Sequence, residues 1–273
     1  MEHLTSRALM AVGTASLVAL FGLTGCGSDA ASDGTAATQT AAASTTSAGD
    51  AEAPAADEQA FCDAHLALAK AVSGPPSDEV DVGALAAALQ KAAPEDLDDT
   101  VATYLEVGQR ASEQGDDSVF LSDEFRDPGR AIDEAVAESC GYPVHDIRAV
   151  DYGFDGVPDT MESGPTMLHF TNEGADLHEG YLFRRADGVE GDPVELLNAD
   201  PSNGSGDLQE VAVTHIGPAG DESYLTADLE PGSYVLGCFF PKGVATIDDL
   251  AEAGEDPSMD HRSGGMIVGF EVA

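Results

Sequence analysis

The chain has no tryptophan and only three lysines, Lys70, Lys91 and Lys242, and its 11 basic side chains face 51 acidic ones for a net charge of −40. A surface of that sign repels nucleic acid and anionic lipid, so proteins that grip phosphate backbones are excluded, and basic partners, cations or high salt are favoured. The acids fall in every region, which fits a uniformly acidic, solubility- or salt-tolerance-type surface better than one acidic patch. Also missing are a nucleophile elbow, a phosphate-cradling glycine loop, a His-Glu-x-x-His pair and a Cys-x-x-Cys pair, and nothing else recommends an enzyme. No internal repeat is evident. What is present is 42% apolar residues in 273, enough for two modest packed domains.

Residues 1–25 read as an export signal, with Arg7, the apolar run Ala8 to Leu23, and small residues before Cys26. The run is short for a membrane span, which needs roughly 20 residues. Leu23-Thr24-Gly25-Cys26 resembles the lipobox of bacterial, actinobacterial-type lipoproteins. That resemblance implies that Cys26 becomes the first mature residue, carries a diacylglycerol thioether, and holds the protein on the extracytoplasmic face of the cell membrane. A plain secretory signal is the alternative. Residues 26–57, rich in Ala, Ser, Thr, Gly and Asp, bury too little apolar area to offset their ordering entropy and read as a flexible tether.

Three cysteines remain. In an exported chain unpaired thiols meet oxidants, so one of Cys62, Cys140 and Cys238 is left over and needs an explanation. Cys62 and Cys140 bracket a segment of helical character, which favours a disulfide between them, with Cys238 paired to either as the alternative. Closing the chain from 62 to 140 is worth about 4 kcal/mol on the chain-entropy model. Apolar spacing predicts helices over about Asp57–Val72 and Val82–Ala92, a third opened by Pro94, and a last one capped by Asp127-Pro128 and stopping at Gly141. Residues 58–142 therefore read as a small helical bundle, in which His65 is a packing residue rather than a ligand.

From 144 to 273 the pattern changes to short alternating or apolar runs separated by turns. Seven strands are predicted: Ile147–Phe154, Thr166–Thr171, Asp176–Arg185, Val211–Ile216, Ser223–Leu229, Ser233–Phe240 and Gly265–Val272. The fold class is α+β in separate domains, the helical bundle followed by a Greek-key β-sandwich. A short helix is expected near Asp192–Leu197, and His169 and His215 read as packing residues within strands.

Three segments of this half carry chemistry. Asn172-Glu173-Gly174 is a turn shortly before His178, Pro231-Gly232-Ser233-Tyr234 leads to Cys238-Phe239-Phe240-Pro241, and His261 is followed by Met266. Together they resemble the cupredoxins, the blue copper proteins related to plastocyanin, azurin and auracyanin. In that family an Asn-x-Gly turn precedes the first histidine ligand, a Pro-Gly-x-Tyr strand delivers the cysteine, and a His-x4-Met or His-x3-Met segment closes the site. The resemblance covers roughly residues 145–273. It implies one type 1 copper held by His178, Cys238, His261 and Met266, with Phe239 and Phe240 shielding the sulfur. A thiolate and two imidazoles in a plane, with a weak axial thioether, suit both copper oxidation states and so favour electron transfer, here to a basic redox partner. Copper capture or delivery uses the same ligands. A metal-free lipoprotein that binds a protein or cell-wall partner is the remaining alternative. One departure stands out: 22 residues, 239–260, separate Cys238 from His261, where the family has a short loop. Register at His261 would then come from Met266 and the last strand.

Overall fold

A computed structural model describes residues 56–73, 80–115, 117–200, 202, 205–253 and 260–273. The signal sequence, Cys26 and the tether up to residue 55 lie outside the described residues. Four helices come first: α1 (Ala56–Ser73), α2 (Val82–Ala92), α3 (Asp98–Gln114) and α4 (Asp123–Ser139). In α1 the residues that bury are Phe61, Cys62, His65 and Leu68, one helical stripe. Among the described residues no helix is long and apolar enough to cross a membrane.

Two helix starts differ from the sequence reading. Pro94–Leu97 forms a turn before α3, closed by the Leu97 N–H donating to the Pro94 carbonyl at 2.9 Å. The last helix begins after Ser122, with Pro128 inside it rather than at its cap. The Pro128 ring removes one early backbone bond, but Phe125 in the first turn stacks on Tyr104 at 4.7 Å and meets Phe120 edge-on at 5.0 Å. Such aromatic contacts offset part of the proline cost.

Nine strands follow: β1 (Val144–Val150), β2 (Gly153–Asp155), β3 (Thr160–Met161), β4 (Gly164–Asn172), β5 (His178–Arg185), β6 (Leu208–Ile216), β7 (Glu222–Leu229), β8 (Gly232–Gly237) and β9 (Ile267–Val272). They form two sheets, in the orders β2-β1-β4-β7 and β3-β9-β8-β5-β6. Pairing is antiparallel except for β1 with β4 and β3 with β9. The first predicted strand splits at Tyr152, whose φ of 70° turns the chain between β1 and β2. Short helices α5 (Pro193–Ala199, capped by Asp192) and α6 (Ile247–Ala253) complete the fold.

The main core lies between the sheets, built by Ile147, Leu168, Phe170, Leu182, Leu225, Leu236 and their neighbours. Each sheet is also covered outside. Met167, on the opposite side of β4 from Leu168 and Phe170, packs with Phe61, Leu89, Val101, Ile132 and Val136 of the helices. On the other sheet Leu197 of α5 packs with Phe183, Leu208 and Val235. Strands covered on both faces lose simple alternation, which is why Thr166, Met167 and Leu168 of β4 are buried in succession. The sequence reading has helices and sandwich as separate domains, yet the described residues all fall in one compact unit. The Arg126–Asp221 ion pair at 2.5 Å adds a polar link between α4 and the turn before β7. Cys62 and Cys140 are disulfide-bonded with a Cα–Cα distance of 5.6 Å, and Cys238 remains a buried free thiol.

Candidate metal centre

The first side chain of the centre is placed by a turn that asparagine holds together. Asn172, buried at the end of β4, accepts the Gly174 N–H at 2.8 Å and donates to the carbonyls of Asp176 at 2.8 Å and Gly217 at 2.7 Å. The turn delivers His178 as the first residue of β5. Glycine at 174 is a matter of space. A Cβ there would sit 2.7 Å from His178 Nε2 and 3.0 Å from the Asp151 backbone nitrogen, closer than carbon atoms approach. The glycine of the Asn-x-Gly turn is thus explained by the close approach of the Asp151 carboxylate and of the histidine that follows.

Cys238 comes directly after β8, and His261 leads into a short 3₁₀ turn at Arg262–Gly264 before β9. His178, Cys238, His261 and Met266 are all fully buried. His261 Nδ1 lies 3.1 Å from His178 Nδ1 and 3.4 Å from Cys238 Sγ. One ligand atom from each of these three residues lies within 4.8 Å of the others, the one such His/Cys/carboxylate group among the described residues. Met266 joins through the backbone: its carbonyl accepts the Cys238 N–H at 3.1 Å and its N–H donates to the His261 carbonyl at 3.1 Å. Phe240 packs against the core cluster that contains Cys238. Phe239 points the other way, into the cluster of Phe183 and Tyr181.

The long separation between cysteine and histidine is closed at its neck. Pro241 and Asp260 form an isolated β-bridge. The His261 N–H donates to the Phe240 carbonyl at 2.9 Å and the Arg262 N–H to the Cys238 carbonyl at 2.8 Å. A buried pair locks the same place: the Arg262 guanidinium meets Asp260 Oδ2 at 3.0 Å, donates to Asn198 Oδ1 at 3.0 Å, and lies over the Phe239 ring. Met266 supplies part of the register, as expected, and the neck supplies the rest. Each doubling of a loop's length adds only about 0.6 kcal/mol of closure entropy, so an insertion with fixed ends leaves the site assembled.

Three carboxylates surround the cluster, and the sequence reading assigns none of them. Asp176 Oδ2 accepts from His261 Nε2 at 3.0 Å and from the Gly243 N–H at 2.7 Å. This leaves the Nδ1 lone pair of His261 facing Cys238 and His178. Asp151 Oδ1 lies 3.7 Å from His178 Nε2, a buried nitrogen with no hydrogen-bond partner. Glu179 is buried, its carboxyl accepts the Phe239 N–H at 3.0 Å, and its own backbone N–H donates to Cys238 Sγ at 3.4 Å. Asp176 precedes His178 by two positions and Glu179 follows it, but in a chain with 51 acids such proximity carries no signal.

Burial, and then the neighbouring His261, push the His178 imidazole down to about 4, so it is neutral at physiological pH. Burial, followed by the Glu179 charge, raises the Cys238 thiol well above its ordinary value of 9.0. Burial also lifts the Glu179 carboxyl to about 8, with the Phe239 N–H opposing it. In the metal-free protein the folded state therefore holds a proton on Glu179 that the unfolded state, near 4.5, has lost. This contribution to stability declines as pH rises from about 4.5 to about 8. A metal-free Glu179→Gln variant should gain stability relative to the parent across that window in urea titrations. A difference independent of pH would show the carboxyl to be ionised when folded.

The donor set fits a thiophilic transition metal. The His178 and His261 Nδ1 atoms stand 3.1 Å apart, close enough for one ion at about 2.0 Å from each to be held by both. With His178 Nδ1 as the ligand atom, the ring proton would sit on the partnerless Nε2, on the Asp151 side. A mixed thiolate-imidazole set selects copper or zinc over magnesium or calcium.

No family model matches the chain, and no curated protein matches it. Among solved structures it is similar to dithionite-reduced auracyanin from the photosynthetic bacterium Roseiflexus castenholzii, at 20% identity over 48% of this chain and 96% of that one, TM-score 0.31. It is similar to auracyanin B at 17% identity over 48% and 88% of the two chains, TM-score 0.30. It is similar also to rusticyanin from Thiobacillus ferrooxidans, at 17% identity over 48% and 76%, TM-score 0.27.

Proposed function

We propose that this chain is a lipid-anchored, extracytoplasmic copper protein of cupredoxin type that carries single electrons and is not an enzyme. The observation that carries the reading is the convergence of His178 Nδ1, His261 Nδ1 and Cys238 Sγ, fully buried, at 3.1 and 3.4 Å. Bound there, copper would supply a one-electron couple. The residues do the rest. Cys238 as a thiolate, with His178 and His261, would hold the copper, and Met266 would be the weaker fourth ligand. Both sheets and the closed neck exclude water, which limits reorganisation when the charge changes. Cys26 would carry the diacylglycerol anchor and residues 26–57 the reach. The acidic surface would draw a basic redox partner at a rate that falls as salt rises.

Copper titration of the purified chain tests the reading. One equivalent of Cu(II) is expected to give intense visible absorption and narrow copper hyperfine splitting. Tight colourless Cu(I) binding without a stable Cu(II) form would instead mark copper capture or delivery. No binding by the reduced protein would leave a metal-free lipoprotein.

A further inference from the structure

The insertion and the second histidine meet at one oxygen atom. Asp176 Oδ2 receives the Gly243 N–H at 2.7 Å and His261 Nε2 at 3.0 Å, and the Asp176 side chain is buried. Just beside it the Leu177 N–H donates to the Val244 carbonyl at 2.6 Å, so the start of the insertion is pinned to the turn before β5 twice. Asp176 itself is held by Asn172, which donates to its backbone carbonyl. No other polar partner of His261 Nε2 is present among the described residues, and the Tyr152 ring covers the imidazole edge-on at 5.7 Å.

We infer that Asp176 is the positioning residue of the centre: its carboxylate holds His261 as the tautomer protonated on Nε2, which frees the Nδ1 lone pair, and strengthens Nδ1 as a ligand for the more highly charged metal state. The inference rests on the copper reading for its second half only. A carboxylate hydrogen-bonded to the far nitrogen of an imidazole fixes ring orientation and raises ligand basicity. A more basic donor favours Cu(II) over Cu(I), so the carboxylate lowers the reduction potential. It also gives the insertion a role, because the Gly243 N–H fixes the oxygen that fixes the ring.

Two variants separate charge from hydrogen bonding. One oxygen accepts both bonds, so Asp176→Asn can keep both while losing the charge, whereas Asp176→Ala loses everything. In the metal-free chain, imidazole nitrogen shifts are expected to show His261 protonated on Nε2 alone in the parent and in Asp176→Asn, and a mixture of tautomers in Asp176→Ala. Copper-loaded Asp176→Asn is expected to keep the parent spectrum with Cu(II) binding about tenfold weaker and Cu(I) binding unchanged, a rise in potential of about 59 mV. Asp176→Ala should lose about 10- to 100-fold in Cu(II) affinity. Unchanged tautomers in Asp176→Ala, or an unchanged potential in Asp176→Asn beside a blue parent, would overturn the inference. A parent that binds no copper would sink the electron-carrier reading, while the tautomer measurement would still decide whether Asp176 positions the ring.

Discussion

Cys238→Ala is expected to yield a colourless protein. In the proposed centre the thiolate is the donor whose charge transfer to copper produces intense visible absorption, and among the described residues no second thiol is free, because Cys62 and Cys140 are bonded to each other in the helical layer. Copper binding should weaken by about a hundred- to a thousandfold, if the roughly 10–16 kcal/mol of a structural thiolate-imidazole site is shared among four ligands. The metal-free fold should barely notice. The thiol is buried in the main core, and losing one sulfur there costs about 1 kcal/mol. Absorption, copper affinity and urea midpoint read these separately. A variant that stayed blue would remove Cys238 from the ligand set and with it the proposed function.

The second large effect concerns stability. Replacing Cys62 and Cys140 together by alanine should cost about 4 kcal/mol, since the bridge spans 78 positions and restrains the unfolded chain accordingly. The loss would extend beyond the helices. Both cysteines sit in the cluster that includes Met167 of the sheet, so the helical layer and the sandwich are expected to melt in one transition. Calorimetry of the double variant tests this: a single shifted peak supports shared cooperativity, and two peaks with the upper one unmoved would show the sandwich to be independent of the bridge. The hydrogen bond from Tyr142 to the Cys62 carbonyl, 3.2 Å, lies at the same junction.

What could be read from the sequence was what local chemistry enforces. Periodicity placed α1 and α2 within a residue or two, because one apolar stripe has to face inward. The Asn172-x-Gly174, Cys238 and His261–Met266 segments were legible because each has a steric or bonding reason to be what it is. Long-range facts were not. That Met167 faces the helices while Leu168 faces the other sheet depends on what covers β4, which no window of sequence contains. Tyr152 adopts a turn conformation that β-strand propensity argues against. Pro128 looks like a helix start until Phe125 is seen packed on Tyr104. The carboxylates at 151, 176 and 179 are ordinary acids in sequence, and only their hydrogen bonds single them out.

The bridged neck at Pro241 and Asp260 has one more consequence. The buried Val244 and the Pro241–Asp260 bridge hold the two ends of the insertion independently of what lies between them, so the segment is a natural splice point. An epitope or fluorophore-bearing peptide grafted after Thr246 is therefore expected to leave the proposed centre assembled.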